Sequence, residues 1–205
     1  MGGRKTIFLL LLVIIIAVFF RFYGLENAPP GLYGDEAMNG NNAVQALEAA
    51  PPEGGFKVFY EENNGREGLF INIQAIFLKA AEIIAGKPMG VPWLLRLPST
   101  LFGILTVIGV YLFTKELFKR NDIALLAAFL IATSFWHINF SRVGFRAIMA
   151  PFFLTWGLYF LLLSFQKFKT SSLLTHYSLL PLLGGAVYGL GMHSYISYRA
   201  TPLLI

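Results

Sequence analysis

From residue 7 to residue 20 the chain is uninterruptedly apolar, behind Arg4 and Lys5, and its apolar character extends to Tyr23. At about 1.5 Å per residue that is close to what a helix needs to cross a hydrocarbon core of about 30 Å. Phe19, Phe20 and Phe22 stand where a cleaved leader would need small residues, so this run reads as an uncleaved anchor with its N-terminus in the cytoplasm. Further apolar runs predict spans over residues 93–114, 123–136, 148–165 and 179–193. Residues 69–85 differ. They are apolar but carry Asn72, Gln74, Lys79 and Glu82, they close on Gly86 and Pro88, and they reach only about 25 Å as a helix. A helix lying along or partly in the membrane surface fits them better than a span.

The basic residues support that choice. With 69–85 on the surface, the next helix runs inward and delivers Lys115, Lys119 and Arg120 to the cytoplasm, and the 148–165 helix does the same for Lys167 and Lys169, as the positive-inside rule requires. Residues 24–92 then form a long extracytoplasmic loop. Within it, Ala37, Val44 and Leu47 alternate with Asn39, Asn42, Gln45 and Glu48 at helical spacing, which predicts an amphipathic helix begun by Gly34 or Asp35. The expected fold is an all-α, polytopic membrane bundle whose long first outer loop bears surface-lying helices. Residues 199–205 read as the start of another apolar segment, so the chain is expected to be the N-terminal part of one larger transmembrane domain.

Composition narrows the class. Charged residues are 13% and hydrophobic residues 56% of the chain, against about a quarter and about half in soluble domains. The lipid bilayer is therefore one expected partner. The net charge of +5 fits cytoplasmic loop bias or an anionic phosphate partner, and no nucleic-acid recognition motif accompanies it, so nucleic acid is not expected. Without cysteine the chain can form no disulfide, thiolate metal site or cysteine nucleophile.

The predicted topology returns Arg142, Arg146, His193, Tyr198 and Arg199 to the side that holds Asp35 and Glu36. Two adjacent carboxylates at membrane level suit proton removal from a hydroxyl during glycosyl transfer. The same pair also suits a helix N-terminus, where acids satisfy free N–H groups and the helix dipole. Arg142 and Arg146 lie four residues apart, so on one helix they share a face, and guanidinium forks suit a phosphate; arginines at a membrane boundary also snorkel to headgroups. His193, near Gly191, Tyr195 and Tyr198, is a candidate for sugar or phosphate contact. His137 beside Trp136 reads as an interface anchor, and His176 faces the cytoplasm. No two histidines sit at metal-ligand spacing. No cofactor is assigned, and a divalent cation on Asp35 and Glu36 stays open. Gly184, Gly185, Gly189 and Gly191 suit close helix packing.

Several stretches together carry a resemblance. An N-terminal anchor leads to Arg21-Phe22-Tyr23-Gly24-Leu25, then Pro29-Pro30-Gly31-Leu32 and Asp35-Glu36; Arg96-Leu97-Pro98-Ser99 enters a span ending at Lys115 to Phe118; Ser134 to Arg142 is followed by Phe145-Arg146. In order and spacing this resembles the GT-C glycosyltransferases of the protein O-mannosyltransferase and aminoarabinose-transferase type. The resemblance implies inverting transfer from a polyprenyl-phosphate sugar donor to a hydroxyl acceptor on a protein, lipid or glycan, at the extracytoplasmic face of the plasma membrane. It implies Asp35 as general base, with Glu36 as its supporting neighbour. Many relatives carry a His-Pro-Pro-Leu-like or Lys-Pro-Pro-Leu-like stretch before the surface helix. Here Asn63-Asn64-Gly65-Arg66-Glu67-Gly68-Leu69 stands instead, leaving Glu61, Glu62 and Glu67 unassigned and grouping Arg66 with the substrate-binding residues Arg142, Arg146, His193, Tyr198 and Arg199. A transporter or a non-catalytic assembly subunit is the rival reading. The acids gather in one outer loop, whereas a transport path places ionisable residues within the spans.

Overall fold

The computed structural model describes residues 3–50, 53–87, 91–168 and 179–204. The expectations at Pro88, Lys169 and His176 lie outside the described residues. The fold is all-α and consists of α1 (Gly3–Phe22), α2 (Gly34–Glu48), α3 (Leu69–Ala85), α4 (Pro92–Phe118), α5 (Asn121–Thr133), α6 (Phe135–Arg142), α7 (Met149–Phe168) and α8 (Leu179–Leu190). Among the described residues its strands are limited to one small antiparallel pair, β1 (Phe59–Tyr60) and β2 (Arg66–Glu67), in the loop between α2 and α3.

Three helical stretches, Gly3–Phe22, Pro92–Phe118 and Arg146–Gln166, are long and apolar enough to cross a membrane, and α5 with α6 makes a fourth if the bent pair counts as one span. The chain is an integral membrane protein. α1 buries only Thr6, Val13, Ala17 and Arg21, one stripe, and leaves Ile7, Phe8, Leu11, Ile15 and Phe19 exposed on the lipid side. Its stripe meets Val107 and Tyr111 of α4 and a row of fully buried alanines, Ala124, Ala128 and Ala132, on α5. Small side chains four apart let these helices approach closely, which matters where lipid and core are equally apolar.

α4 is the longest element, 27 residues, or about 40 Å at 1.5 Å per residue. That exceeds the hydrocarbon thickness, and its first turns form a wall for the loop between α1 and α4. α3 lies against that wall. It turns Phe70, Ile71, Gln74, Ala75 and Leu78 inward, and Ile71, Ala75 and Leu78 meet Leu94 and Leu95 at the start of α4 and Ala43 of α2.

The expected straight 123–136 span is a bent one. The chain breaks at Ser134 by 55°, and α6 continues to Arg142. A break within a membrane frees carbonyls that must find donors. Arg21, fully buried at the end of α1, supplies them: Nη1 donates to the Ala132 carbonyl at 3.1 Å, Nη2 to that of Ile131 at 3.3 Å, and Nη2 also contacts His137 Nδ1 at 2.8 Å. His137 therefore braces the bend, while Phe135 and Trp136 beside it are exposed.

The C-terminal end of α1, the N-terminal ends of α4 and α7, and the turns after α8 meet the outer loop at one end of the bundle, as the ion pairs below show. At the other end Lys119 donates to Gln166 at 2.8 Å, joining the C-terminal ends of α4 and α7.

Candidate active site

α2 begins at Gly34, where the sequence predicts, and buries polar residues beside its apolar ones, since Ala43 and Ala46 are buried as well and Leu47 packs against the same cluster as Ala43. Glu36, Asn39 and Asn42 are buried, whereas Met38 and Val44 are exposed. Asn39 and Asn42 face a short turn, Glu61–Asn63, and the hairpin around it. Asn63 Nδ2 donates to Asn42 Oδ1 at 2.7 Å and to Asn39 Oδ1 at 3.2 Å, and Asn42 Nδ2 donates to Glu62 Oε1 at 3.2 Å. These bonds offset part of the desolvation penalty that otherwise keeps amides at the surface, while Asn39 Nδ2 and Asn63 Oδ1 stay buried without a partner among the described residues. The hairpin turns at Asn64 and Gly65, both with positive φ (56° and 64°), the left-handed conformation that Asn-Gly favours. That dipeptide was the sequence signal for the hairpin, and it was passed over. Tyr60, on β1, donates to Asn72 Oδ1 at 2.8 Å, and burial, chiefly, pushes its hydroxyl above its usual pKa.

Asp35 and Glu36, adjacent in sequence, have different surroundings. Glu36 is fully buried, and its carboxylate is engaged on both oxygens. Oε1 accepts from Arg96 Nε at 2.7 Å and the Gly144 amide at 2.9 Å; Oε2 accepts from Arg96 Nη2 at 3.2 Å and the Tyr33 amide at 3.2 Å. Arg96, also fully buried, donates in addition to the carbonyls of Leu25, Pro29 and Gly31. One ion pair thus ties the outer loop to α4 and to the turn before α7. Gly144 permits the approach: a Cβ there would lie 3.0 Å from Glu36 Oε1. Arg96 entered the sequence reading only as part of a motif.

The Asp35 carboxylate keeps 35% of its side chain exposed and accepts from Arg66 Nη2 at 2.6 Å. Arg66 also reaches Asn39 Oδ1 at 3.4 Å, so the amide network holds the arginine that holds Asp35. The next residue, Glu67, is buried and bridges two distant arginines, Arg146 Nη1 at 2.6 Å and Arg199 Nη2 at 2.8 Å. Arg146 lies within electrostatic reach of Asp35 and Arg66, and its guanidinium sits over the Tyr195 ring at 5.6 Å. Asp35, Arg66, Arg146 and Arg199 therefore converge on one region. His193 stands at its rim, its ring 5.9 Å from that of Phe59 on β1.

Two expected members lie elsewhere. Arg142 and Arg146 do not share a helix face, because α6 ends at Arg142 and Val143 to Phe145 intervene. Arg142 instead binds the end of α1 and the loop after it, donating to the carbonyls of Phe20 at 2.9 Å, Tyr23 at 2.8 Å and Ala28 at 2.8 Å. Tyr198 is a core residue, 1% exposed, its hydroxyl donating to the Tyr188 carbonyl at 3.1 Å, and burial raises its pKa. Its ring lies against Gly191, where a Cβ would come within 2.1 Å of it. Gly184 likewise faces Leu161 closely, while Gly185 and Gly189 face open space.

A divalent cation on Asp35 and Glu36 does not fit this geometry, since Arg96 and two amides occupy the Glu36 lone pairs. Among the described residues no three acidic or imidazole groups gather where they could hold an ion.

The sequence profile described as dolichyl-phosphate-mannose-protein mannosyltransferase matches residues 75–202, more than half of the chain. No curated protein matches the chain. Its fold is similar to the crystal structure of the Archaeoglobus fulgidus oligosaccharyltransferase in the apo form, with a TM-score of 0.74 and 20% identity over 96% of this chain and 24% of that one. It is likewise similar to the same enzyme tethered by a disulfide bond to an acceptor peptide containing the NVT sequon, with a TM-score of 0.73, 21% identity and coverage of 96% and 25%. The chain spans about a quarter of the length of these solved structures. Their fold and this one are of GT-C type.

Proposed function

Since the chain belongs to the dolichyl-phosphate-mannose-protein mannosyltransferase family, we propose that it is the N-terminal part of a membrane glycosyltransferase working from a polyprenyl-phosphate-linked sugar. Transfer to a hydroxyl acceptor takes place on the extracytoplasmic side, with inversion at the anomeric carbon. The N-terminus and the basic end of α4 face the cytoplasm, and residues 24–92 form the outer floor of the site.

One observation carries this reading: of two neighbouring acids, Glu36 is sealed in a structural ion pair while Asp35 stays accessible among three arginines. An accessible carboxylate beside cationic groups is what a one-step displacement needs. The acceptor hydroxyl gives its proton to Asp35 as its oxygen bonds to the anomeric carbon. The bond from that carbon to the phosphate oxygen breaks, and the electron pair leaves with the polyprenyl phosphate. Arg146 and Arg199 offset the negative charge that develops there. Arg66 holds the Asp35 carboxylate in orientation until the acceptor arrives. An open cavity of about 330 Å³ beside Arg146, lined by Phe140, Ile148, Pro151 and Tyr195 among others, has the apolar character an isoprenoid chain requires and supports a lipid-linked donor.

The test uses the full-length protein in membranes with radiolabelled polyprenyl-phosphate sugars. Wild type should label endogenous acceptors, and Asp35→Asn should bind donor without transferring. Full transfer by a folded Asp35→Asn protein would remove Asp35 from the mechanism.

A further inference from the structure

Glu67 has no part in the displacement above, yet it is the acid most tightly held by the arginines of the site. Its side chain is 6% exposed, and each oxygen is engaged by a guanidinium from a distant segment. A carboxylate bridging two arginine forks matches one edge of a phosphate in shape and in the donors it accepts from. Arg66, Arg146 and Arg199 against Asp35 and Glu67 give three positive charges to two negative, leaving one positive charge over. The two arginines on Glu67 are unequally fixed. Arg146 is 14% exposed and sits over Tyr195, whereas Arg199 is 51% exposed and lies on the 3-10 helix Ile196–Leu204.

We propose that Glu67 is a resident counter-ion that occupies the phosphate position of the empty site and yields Arg199 to the lipid phosphate when it enters. The inference rests on the lipid-phosphate reading above. Without Glu67 the two guanidinium groups would repel one another; with it they stay close and aligned. The sugar-linked donor is a phosphodiester and brings one negative charge, enough to share the exposed arginine. The polyprenyl phosphate left once the sugar has gone is a monoester with between one and two, more than the single charge of a carboxylate, so it wins Arg199 as that charge develops. Arg146 remains shared, which keeps Glu67 in place to recapture Arg199 after release.

The exchange makes Glu67 a competitor of the ligand, and that sets the sign of the test. The full-length protein in nanodiscs of neutral lipid is titrated with a short-chain prenyl monophosphate, with the matching prenyl alcohol as blank. If the ligand-ready arrangement is a minor population, removing the competitor raises apparent affinity by the inverse of that fraction, so Glu67→Gln should bind roughly threefold to tenfold more tightly. Glu62→Gln removes the same charge from an exposed pair in the same loop and should leave affinity unchanged. Arg199→Gln, at a half-exposed position that tolerates change, should weaken binding by a similar factor with Glu67 intact.

Weaker or unchanged binding in folded Glu67→Gln, or wild-type affinity in Arg199→Gln, overturns the exchange and leaves the donor reading standing. Equal tightening in Glu62→Gln overturns it as well, since the effect is then general electrostatics. Wild-type protein that binds the phosphate no better than the alcohol removes the donor reading, and the exchange with it.

Discussion

Glu36 with Arg96, and Asp35 with Arg66, are ion pairs of the same chemistry built from consecutive acids, yet they behave as opposites. Both members of the first pair are fully buried, and backbone amides and carbonyls fill their remaining valences. The second keeps its acid 35% open and its arginine 15% open. A buried pair contributes modestly to stability when whole and costs heavily when halved; a half-open pair is screened and exchangeable. Consecutive helix positions point about 100° apart, so the first turn of α2 can send one acid into the protein and leave the other at the surface. In this outer loop, anchoring and chemistry are separated by one residue.

The sharpest way to break the comparison is to halve the sealed pair. Glu36→Ala strands Arg96 in the core, and the cost should be about 3–5 kcal/mol, enough to unfold a marginally stable loop. Thermal unfolding in detergent, followed by the yield of monodisperse protein, measures it. A folded Glu36→Ala protein of wild-type stability would show that the pair does not anchor the loop.

Asp35→Asn should do the reverse. Loss of a half-open pair costs at most about 1 kcal/mol, while transfer should fall by about 10²–10⁴-fold for want of a base. The same protein preparation reads both quantities, one from its melting temperature and one from label transferred per hour. A stability loss as large as that of Glu36→Ala would collapse the distinction between the two acids.

Gly144→Ala tests the sealed side more gently. The new Cβ would stand 3.0 Å from Glu36 Cγ and Oε1 and 3.1 Å from the Leu95 carbonyl, tighter than packed atoms tolerate. Overpacking of this kind costs about 1–3 kcal/mol, and the melting temperature should drop without change in donor affinity.

What the sequence disclosed and what it hid divide along physical lines. α1 and α4 were legible because lipid imposes one demand, apolar length, that a single chain must meet locally; α3 was legible as a helix over residues 69–85 that closes on Gly86. The second, polar buried face of α2 was hidden. Apolar spacing finds Leu47, which does pack inward, but Asn39 and Asn42 are buried against a polar hairpin that only tertiary structure brings to them. The bend at Ser134 was hidden for a similar reason: it is sustained by Arg21, more than a hundred residues earlier in the chain. Arg142 shares its residue type with the arginines that gather near Asp35, and only the partners of Arg142 and Tyr198, backbone carbonyls in both cases, set these two apart. Arg146 and Arg199 were named for their place on the outer side, but their common partner Glu67 was not.

The smallest change separates charge from shape within the open pair. Arg66 donates through two nitrogens, Nη2 to Asp35 at 2.6 Å and Nη1 to Asn39 at 3.4 Å, so its fork fixes the direction of the Asp35 carboxylate as well as supplying a positive charge beside it. Arg66→Lys keeps the charge and loses the fork, because an ammonium is a point donor without a planar pair of N–H groups. Stability should change by at most about 1 kcal/mol, since a half-open pair keeps its charges. Transfer should fall by a small factor, about threefold to tenfold, through misdirection of the carboxylate. Donor affinity should hold, since Arg146 and Arg199 are untouched. If Arg66→Lys instead matches Asp35→Asn in activity, Arg66 contacts the substrate itself; if it matches wild type, charge alone is what Asp35 requires of its partner.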